Sequence, residues 1–89
     1  MDHLASIPAY WRRIILDAID THLRHAPTVP TRRRKPLRPN PFASWELRVD
    51  RYRVYYDVKE ADGDEIVVIL AVGIKRHNRL FIGGREIVL

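Results

Sequence analysis

The stretch "WELRVDRYRVYYDV", Trp45 to Val58, decides the fold. Its alternation puts Trp45, Leu47 and Val49 on one face of a first strand, and Tyr52, Val54, Tyr56 and Val58 on one face of a second. With Asp50 and Arg51 as a two-residue turn, Val49 lies opposite Tyr52, Leu47 opposite Val54 and Trp45 opposite Tyr56. All three pairs are apolar or aromatic, as a buried sheet face requires, and a slip of one residue would turn every one of them outward. The same register sets Arg48 opposite Arg53 on the other face, where like charges weaken a sheet. Either of two anions would relieve the conflict. One is a bound phosphate, whose oxygens match the guanidinium fork; the other is a carboxylate of the chain itself, from Glu46, Asp57 or the C-terminus. The pattern leaves both open.

Upstream, "AYWRRIILDAIDTHLRH" carries Trp11, Ile14, Ile15, Ala18, Ile19 and Leu23 at helical spacing. This predicts an amphipathic helix capped by Ser6 and ended by Pro27 and Pro30, with a packing role only. Pro27 to Phe42 is rich in proline and basic residues, lacks apolar periodicity, and reads as a stiffened connecting loop. Its cations Arg32, Arg33, Arg34, Lys35 and Arg38 suit a phosphate backbone, although such runs are commonly solvated loops. Downstream, "ADGD" at Ala61 to Asp64 signals a tight hairpin. Ile66 to Gly73 is apolar at nearly every position, as in a central strand covered on both sides. "LFIGGREIVL" then predicts a last hairpin turning on Gly83 and Gly84.

The 89 residues fit one domain, 1–89, with one modest core. Sixteen Lys and Arg against eleven Asp and Glu give a net charge of +5, which favours polyanionic partners without requiring them. The absence of cysteine excludes disulfides and thiolate metal sites. The longest apolar run, Ile66 to Ile74, is too short to cross a membrane as a helix. The first ten residues lack the pattern of a signal peptide, and a cytoplasmic location is expected.

In this order the motifs resemble the RelE/ParE toxin superfamily of bacterial toxin–antitoxin modules. "ELRVDRYRVYYDV", then a turn, then "IVVILAVGIKRHNRLF", follows the superfamily's Leu-Arg-Val strand, tight turn, Tyr-Arg-Val strand, and apolar strand ending in Val-Gly and a basic segment. "RRKPLRPNP" resembles the Lys-x-Leu segment that precedes them. The resemblance runs from about residue 7 to 82. It implies an α+β fold, with an N-terminal helix packed on a small antiparallel sheet and here a C-terminal hairpin extension. It also implies a cognate antitoxin as partner and one of two activities. The RelE branch cuts messenger RNA on the ribosome with no metal or other cofactor; the ParE branch poisons DNA gyrase without catalysis.

Carried over by position, Arg53 matches the arginine placed on the scissile phosphate, and Arg48 an arginine common across the superfamily. Lys75, Arg76, His77, Asn78 and Arg79 match the basic segment, with His77 suited to proton transfer near neutral pH; read without the resemblance it is an ordinary surface histidine. Lys35 and Arg38 are expected as backbone contacts. The departures concern the acid–base set. Ser44 and Glu46 stand where RelE has two lysines, Phe81 where it has a tyrosine, and Lys35 where another branch has a glutamate base, so Glu46 working with His77 is the substitute base. These departures favour the gyrase inhibitor as the alternative, or a decayed toxin that only binds its antitoxin. Relatives usually begin with a strand ahead of the helix, whereas this sequence begins almost at the helix, either because that strand has been lost or because this start is later than the natural one. An open sheet edge inviting pairing into a homo-oligomer is expected.

Overall fold

The computed structural model describes residues 7–88. Helix α1 (Ala9–Leu23) is followed by β1 (Arg34–Pro36), β2 (Trp45–Val49), β3 (Tyr52–Ala61), β4 (Asp64–Arg76), β5 (Arg79–Ile82) and β6 (Arg85–Ile87). The strands form one antiparallel meander in which spatial order equals chain order. Register between β2 and β3 is the one required by the apolar pairs, with Arg48 opposite Arg53. Three hairpins turn on two residues of positive φ: Asp62-Gly63, His77-Asn78 and Gly83-Gly84. Positive φ at both central residues is what the type I′ turn needs to match strand twist.

The apolar stripe of α1 packs on the face presented by Leu47, Val49, Tyr52, Val54, Tyr56 and Val72, with Ile15 fully buried at its centre. Trp11 lies 5.3 Å from the Tyr52 ring, and Trp45 stacks on Tyr56 at 6.2 Å. Pro8 occupies the N-cap with no side-chain hydrogen bond; Ser6, the expected cap, lies outside the described residues. At the other end Arg34 donates from Nη1 to the His22 carbonyl at 2.5 Å and from Nε to the Val29 carbonyl at 2.9 Å. This cation satisfies a terminal helix carbonyl and complements the helix dipole. Burial, then the charges of Arg33 and Arg34, lower the pKa of His22. The Tyr56 hydroxyl donates to the Pro27 carbonyl at 2.5 Å, fixing the chain where it leaves the helix.

Two expectations need correction. The Pro27 to Phe42 segment is not all loop, since Arg34–Pro36 pairs with Leu47–Trp45 as an edge strand. An edge strand needs no apolar alternation, and Pro36 is tolerated where no partner awaits its missing N–H. Nor is the apolar strand covered on both sides throughout. β3 and β4 outrun their neighbours: β2 pairs only with Tyr52–Tyr56, and β5 only with Ile74–Arg76. The register shifts at Tyr55/Tyr56, where Tyr55 faces Ala71 and Tyr56 faces Ile69, leaving Leu70 as a bulge. Before the bulge, Ile66 is 47% exposed.

A second, smaller core lies on the other face, where Tyr55, Ala71 and Leu80 meet Leu37, Phe42, Ala43, Ile82 and Ile87. Asn40 holds the covering loop: it donates to the Arg38 and Ala43 carbonyls at 2.7 and 3.0 Å and accepts from the Phe42 and Ala43 amides at 2.8 and 3.0 Å. Gly73 lets β5 fold close. A Cβ there would meet the Phe81 carbonyl oxygen at 2.9 Å and the Leu80 side chain at 2.8 Å.

Candidate functional site

Strand alternation places Lys35, Glu46, Arg48, Arg53, Tyr55 and Lys75 on the sheet face turned away from α1, because Lys35 pairs with Glu46, Glu46 with Tyr55, and Arg53 with Gly73. On that face the like-charge conflict is relieved from within the chain. Glu46 Oε1 lies 3.2 Å from Arg48 Nε and 3.4 Å from Arg53 Nε. The Glu46 side chain is 8% exposed, Arg53 16% and Arg48 45%, so the Glu46–Arg53 pair is the buried half. Arg53 also donates from Nη1 to the Asp50 and Tyr52 carbonyls at 2.7 and 2.8 Å. Asp57, the other internal candidate, accepts instead from the Ser44 amide at 2.7 Å. The third, the C-terminal carboxylate, lies outside the described residues.

Glu46, but neither arginine, also lines a cleft of about 700 Å³. Lys35 and Arg38 stand on one wall, Lys75 and Arg79 on the other, and Glu46 and Tyr55 line it between them. Four of the five cations expected to bind substrate therefore share one cavity. Each comes from a different local cause: an edge strand, the Asn40-held loop, the end of β4, and the strand after a tight turn. Arg79 approaches Glu86 at 4.0 Å, an exposed pair that restrains it little. Tyr55 is fully buried and its hydroxyl has no closely aligned hydrogen-bond partner among the described residues, with Glu46 as its neighbour. Burial raises its pKa, and the neighbouring Glu46 charge raises it further, against the opposing pull of Arg53 and Arg48. The phenol therefore stays protonated, a donor directed at the neighbouring Glu46 carboxylate, whose interaction with it also raises the pKa.

Four predicted residues do not line the cleft: Arg48 and Arg53, which reach it only through Glu46, and Arg76 and His77, which lie elsewhere. Arg76 alternates to the α1 face and lines a separate groove with Trp11 and Phe81. His77 occupies the first central position of the β4–β5 turn at φ 49°, a conformation in which histidine is among the better tolerated side chains. It does not line the cleft. Phe81, at the position of the superfamily's tyrosine, faces the Trp11 groove. The phenol that the cleft does contain, Tyr55, was missed because only its alternate-face neighbours Val54 and Tyr56 carry the core pattern. Its position opposite Glu46 was nonetheless implied by the register. Among the described residues no cluster of His, Asp and Glu is arranged to hold a metal ion, and no helix is long and apolar enough to cross a membrane.

A family model described as "ParE toxin of type II toxin-antitoxin system, parDE" matches residues 1–79. No curated protein and no solved structure matches the chain.

Proposed function

The chain belongs to the ParE toxin family of type II toxin–antitoxin systems, and from that premise we propose that it is an endoribonuclease cutting messenger RNA on the ribosome. Family membership brings with it a cognate antitoxin as partner. The observation that carries the reading is the cleft, where four cations on opposite walls face each other across a carboxylate and a protonated phenol.

An RNA strand entering the cleft sets its phosphates on Lys35 and Arg38 on one side and Lys75 and Arg79 on the other. Arg48, the more exposed of the paired arginines, turns from Glu46 to the scissile phosphate, while Arg53 stays and holds the carboxylate in place. Glu46 takes the proton of the adjacent 2′-hydroxyl, whose oxygen attacks phosphorus. The bond from phosphorus to the 5′-oxygen breaks, leaving a 2′,3′-cyclic phosphate, and the departing oxygen takes a proton from the Lys35 or Lys75 ammonium. Charge building on the pentavalent phosphorus meets cations already in place, which is the main source of rate. Tyr55 donates a hydrogen bond and transfers no proton. His77 and Arg76 lie outside this scheme.

The test is induction of the chain in bacterial cells lacking any antitoxin, with RNA 5′ ends mapped across the transcriptome. New ends confined to translated messages, abolished by Lys75→Ala together with Arg38→Ala in a chain that still folds, establish the nuclease. The second reading is a gyrase inhibitor that binds without catalysis. It is favoured by the engagement of Glu46 with both arginines. Growth arrest with intact messages, relieved in cells carrying a resistant gyrase, would select it; absence of arrest would leave a chain that only binds its antitoxin.

A further inference from the structure

Among the described residues the sheet has four stretches of open edge, and they are built differently. One, the side of β3 beyond β2 over Asp57-Val58-Lys59-Glu60-Ala61, carries three charged side chains. The outer edges are β1, with Arg34, Lys35 and Pro36, and β6, with Arg85 and Glu86; both are three residues long and carry charge or proline. Such features discourage a further strand from adding. The remaining edge is the side of β4 away from β3, before β5 joins at Ile74. There the sequence is Glu65-Ile66-Val67-Val68-Ile69, free of proline and basic residues, and nothing pairs with it among the described residues. It is the composition of an interior strand at an edge, with Ile66 to Ile69 only half-buried or exposed. We propose that this edge pairs with the same edge of a second copy, antiparallel and centred on Val67, forming a continuous sheet across a two-fold axis.

The register follows from the hairpin. A two-residue turn closed by Ala61 and Asp64 makes that pair exchange both hydrogen bonds, and alternate pairs along the ladder do the same. Lys59–Ile66 and Asp57–Val68 are therefore bonded pairs. Glu65, Val67 and Ile69 consequently direct their amide and carbonyl groups outward, to the open edge. Centring on Val67 sets Val67 against Val67, Glu65 against Ile69 and Ile66 against Val68 of the second copy, with no like charges opposed. It uses only the regular stretch before the Leu70 bulge.

Both faces gain cover. On the α1 side, Val67 and Ile69 line an apolar groove with Ile19 and Leu23, which the second copy's Val67 and Ile69 extend. On the other side Ile66 and Val68 of both copies form one patch of four β-branched side chains. The antiparallel arrangement also runs each acidic hairpin tip, with Glu60, Asp62, Asp64 and Glu65, toward the basic Lys75–Arg76 end of the other β4. A self-complementary edge of this kind closes at two copies rather than growing. The reading is independent of the nuclease assignment, since none of Glu65 to Ile69, the residues that pair, lines the cleft.

The chain has no cysteine, so single substitutions report register directly. Purified full-length Val67→Cys is expected to cross-link to a covalent dimer on mild oxidation. Ile66→Cys and Val68→Cys are each expected to cross-link at least tenfold less, but to join one another when mixed. Sedimentation of the unmodified chain is expected to show monomer passing to dimer between about 1 µM and 1 mM, the range for a small interface. Val67→Pro removes only an outward amide and is expected to leave a folded monomer. A wild-type chain monomeric across that range overturns the proposal. So does equal cross-linking at positions 66, 67 and 68, or edge amides that become protected from exchange only when antitoxin is added.

Discussion

Replacing Glu46 by glutamine would keep the shape of the site and remove the carboxylate that the two arginines share, leaving two guanidiniums facing each other with no anion between them. The structure sets the size of the effect. Arg53, at 16% exposure, loses a buried partner, whereas Arg48, at 45%, is well screened by solvent. Removing one member of a buried pair costs about 3–5 kcal/mol, and an exposed pair contributes about 0–1 kcal/mol. The low end of the first range governs, about 3 kcal/mol in total. For a domain of this size that is a fall in Tm of roughly 12–24 °C, read by thermal unfolding followed by circular dichroism. The loss should be partly reversible by an added anion. A sulfate bound between the arginines with a Kd of about 5 mM would return about 1.4 kcal/mol at about 50 mM, whereas chloride at equal ionic strength would return far less. A Tm drop of less than about 4 °C, or a sulfate response equal to that of the unmodified chain, would show that Glu46 is not what reconciles the two arginines.

Gly73→Ala drives a methyl group against the Phe81 carbonyl, a backbone atom that cannot rotate away, and is expected to cost about 1–3 kcal/mol by overpacking in denaturant titration. Asn40→Ala strips four hydrogen bonds from the loop that carries Arg38. It is expected to cost about 2 kcal/mol or more and to raise amide exchange in residues 37–43 while β3 stays protected. The Tyr56 hydroxyl, whose pKa burial pushes up to about 12, holds its proton longer folded than unfolded. Its share of stability is thus intact below about pH 10 and is lost as pH rises through the folded value. Tyr56→Phe should be less stable by about 1 kcal/mol at neutral pH, with a shallower alkaline fall in urea melts. An equally steep fall in that variant would assign the alkaline transition to other groups.

How much of this was legible depended on whether one alternation sufficed to fix an element. Trp45 to Tyr56 could be paired from the sequence because three apolar pairs and one turn agreed on a single register. The Asp-Gly and Gly-Gly hairpins were legible from turn chemistry alone. The His77-Asn78 turn was not, because a histidine inside a run of cations signals charge and lacks the glycine that usually marks a positive-φ turn. β1 was hidden because an edge strand draws its stability from backbone pairing with β2 and shows no periodicity of its own. Ile66 to Leu70 misled in the opposite direction: an apolar run states affinity for burial but not whether the chain supplies the cover. At the site, Lys35, Arg38, Lys75 and Arg79 could be named as a set, yet only tertiary placement distinguishes them from Arg76, one step of alternation away. The Glu46 bridge was one of the readings left open, and the choice between it and a bound phosphate needed coordinates.

Because spatial order in the sheet equals chain order, each strand lies against the one made just before it. A meander of this kind needs no distant segment to arrive before pairing begins, so its loop-closure entropy is small at every step and folding is fast for a mostly β protein. β5 and β6 are the exception in what they contribute. Leu80, Ile82 and Ile87 complete the smaller core, and Lys75 and Arg79 complete the cleft around it. A nascent chain can thus hold its α1-covered core before it owns the candidate site, and the cationic cleft is finished only when the β5–β6 hairpin closes.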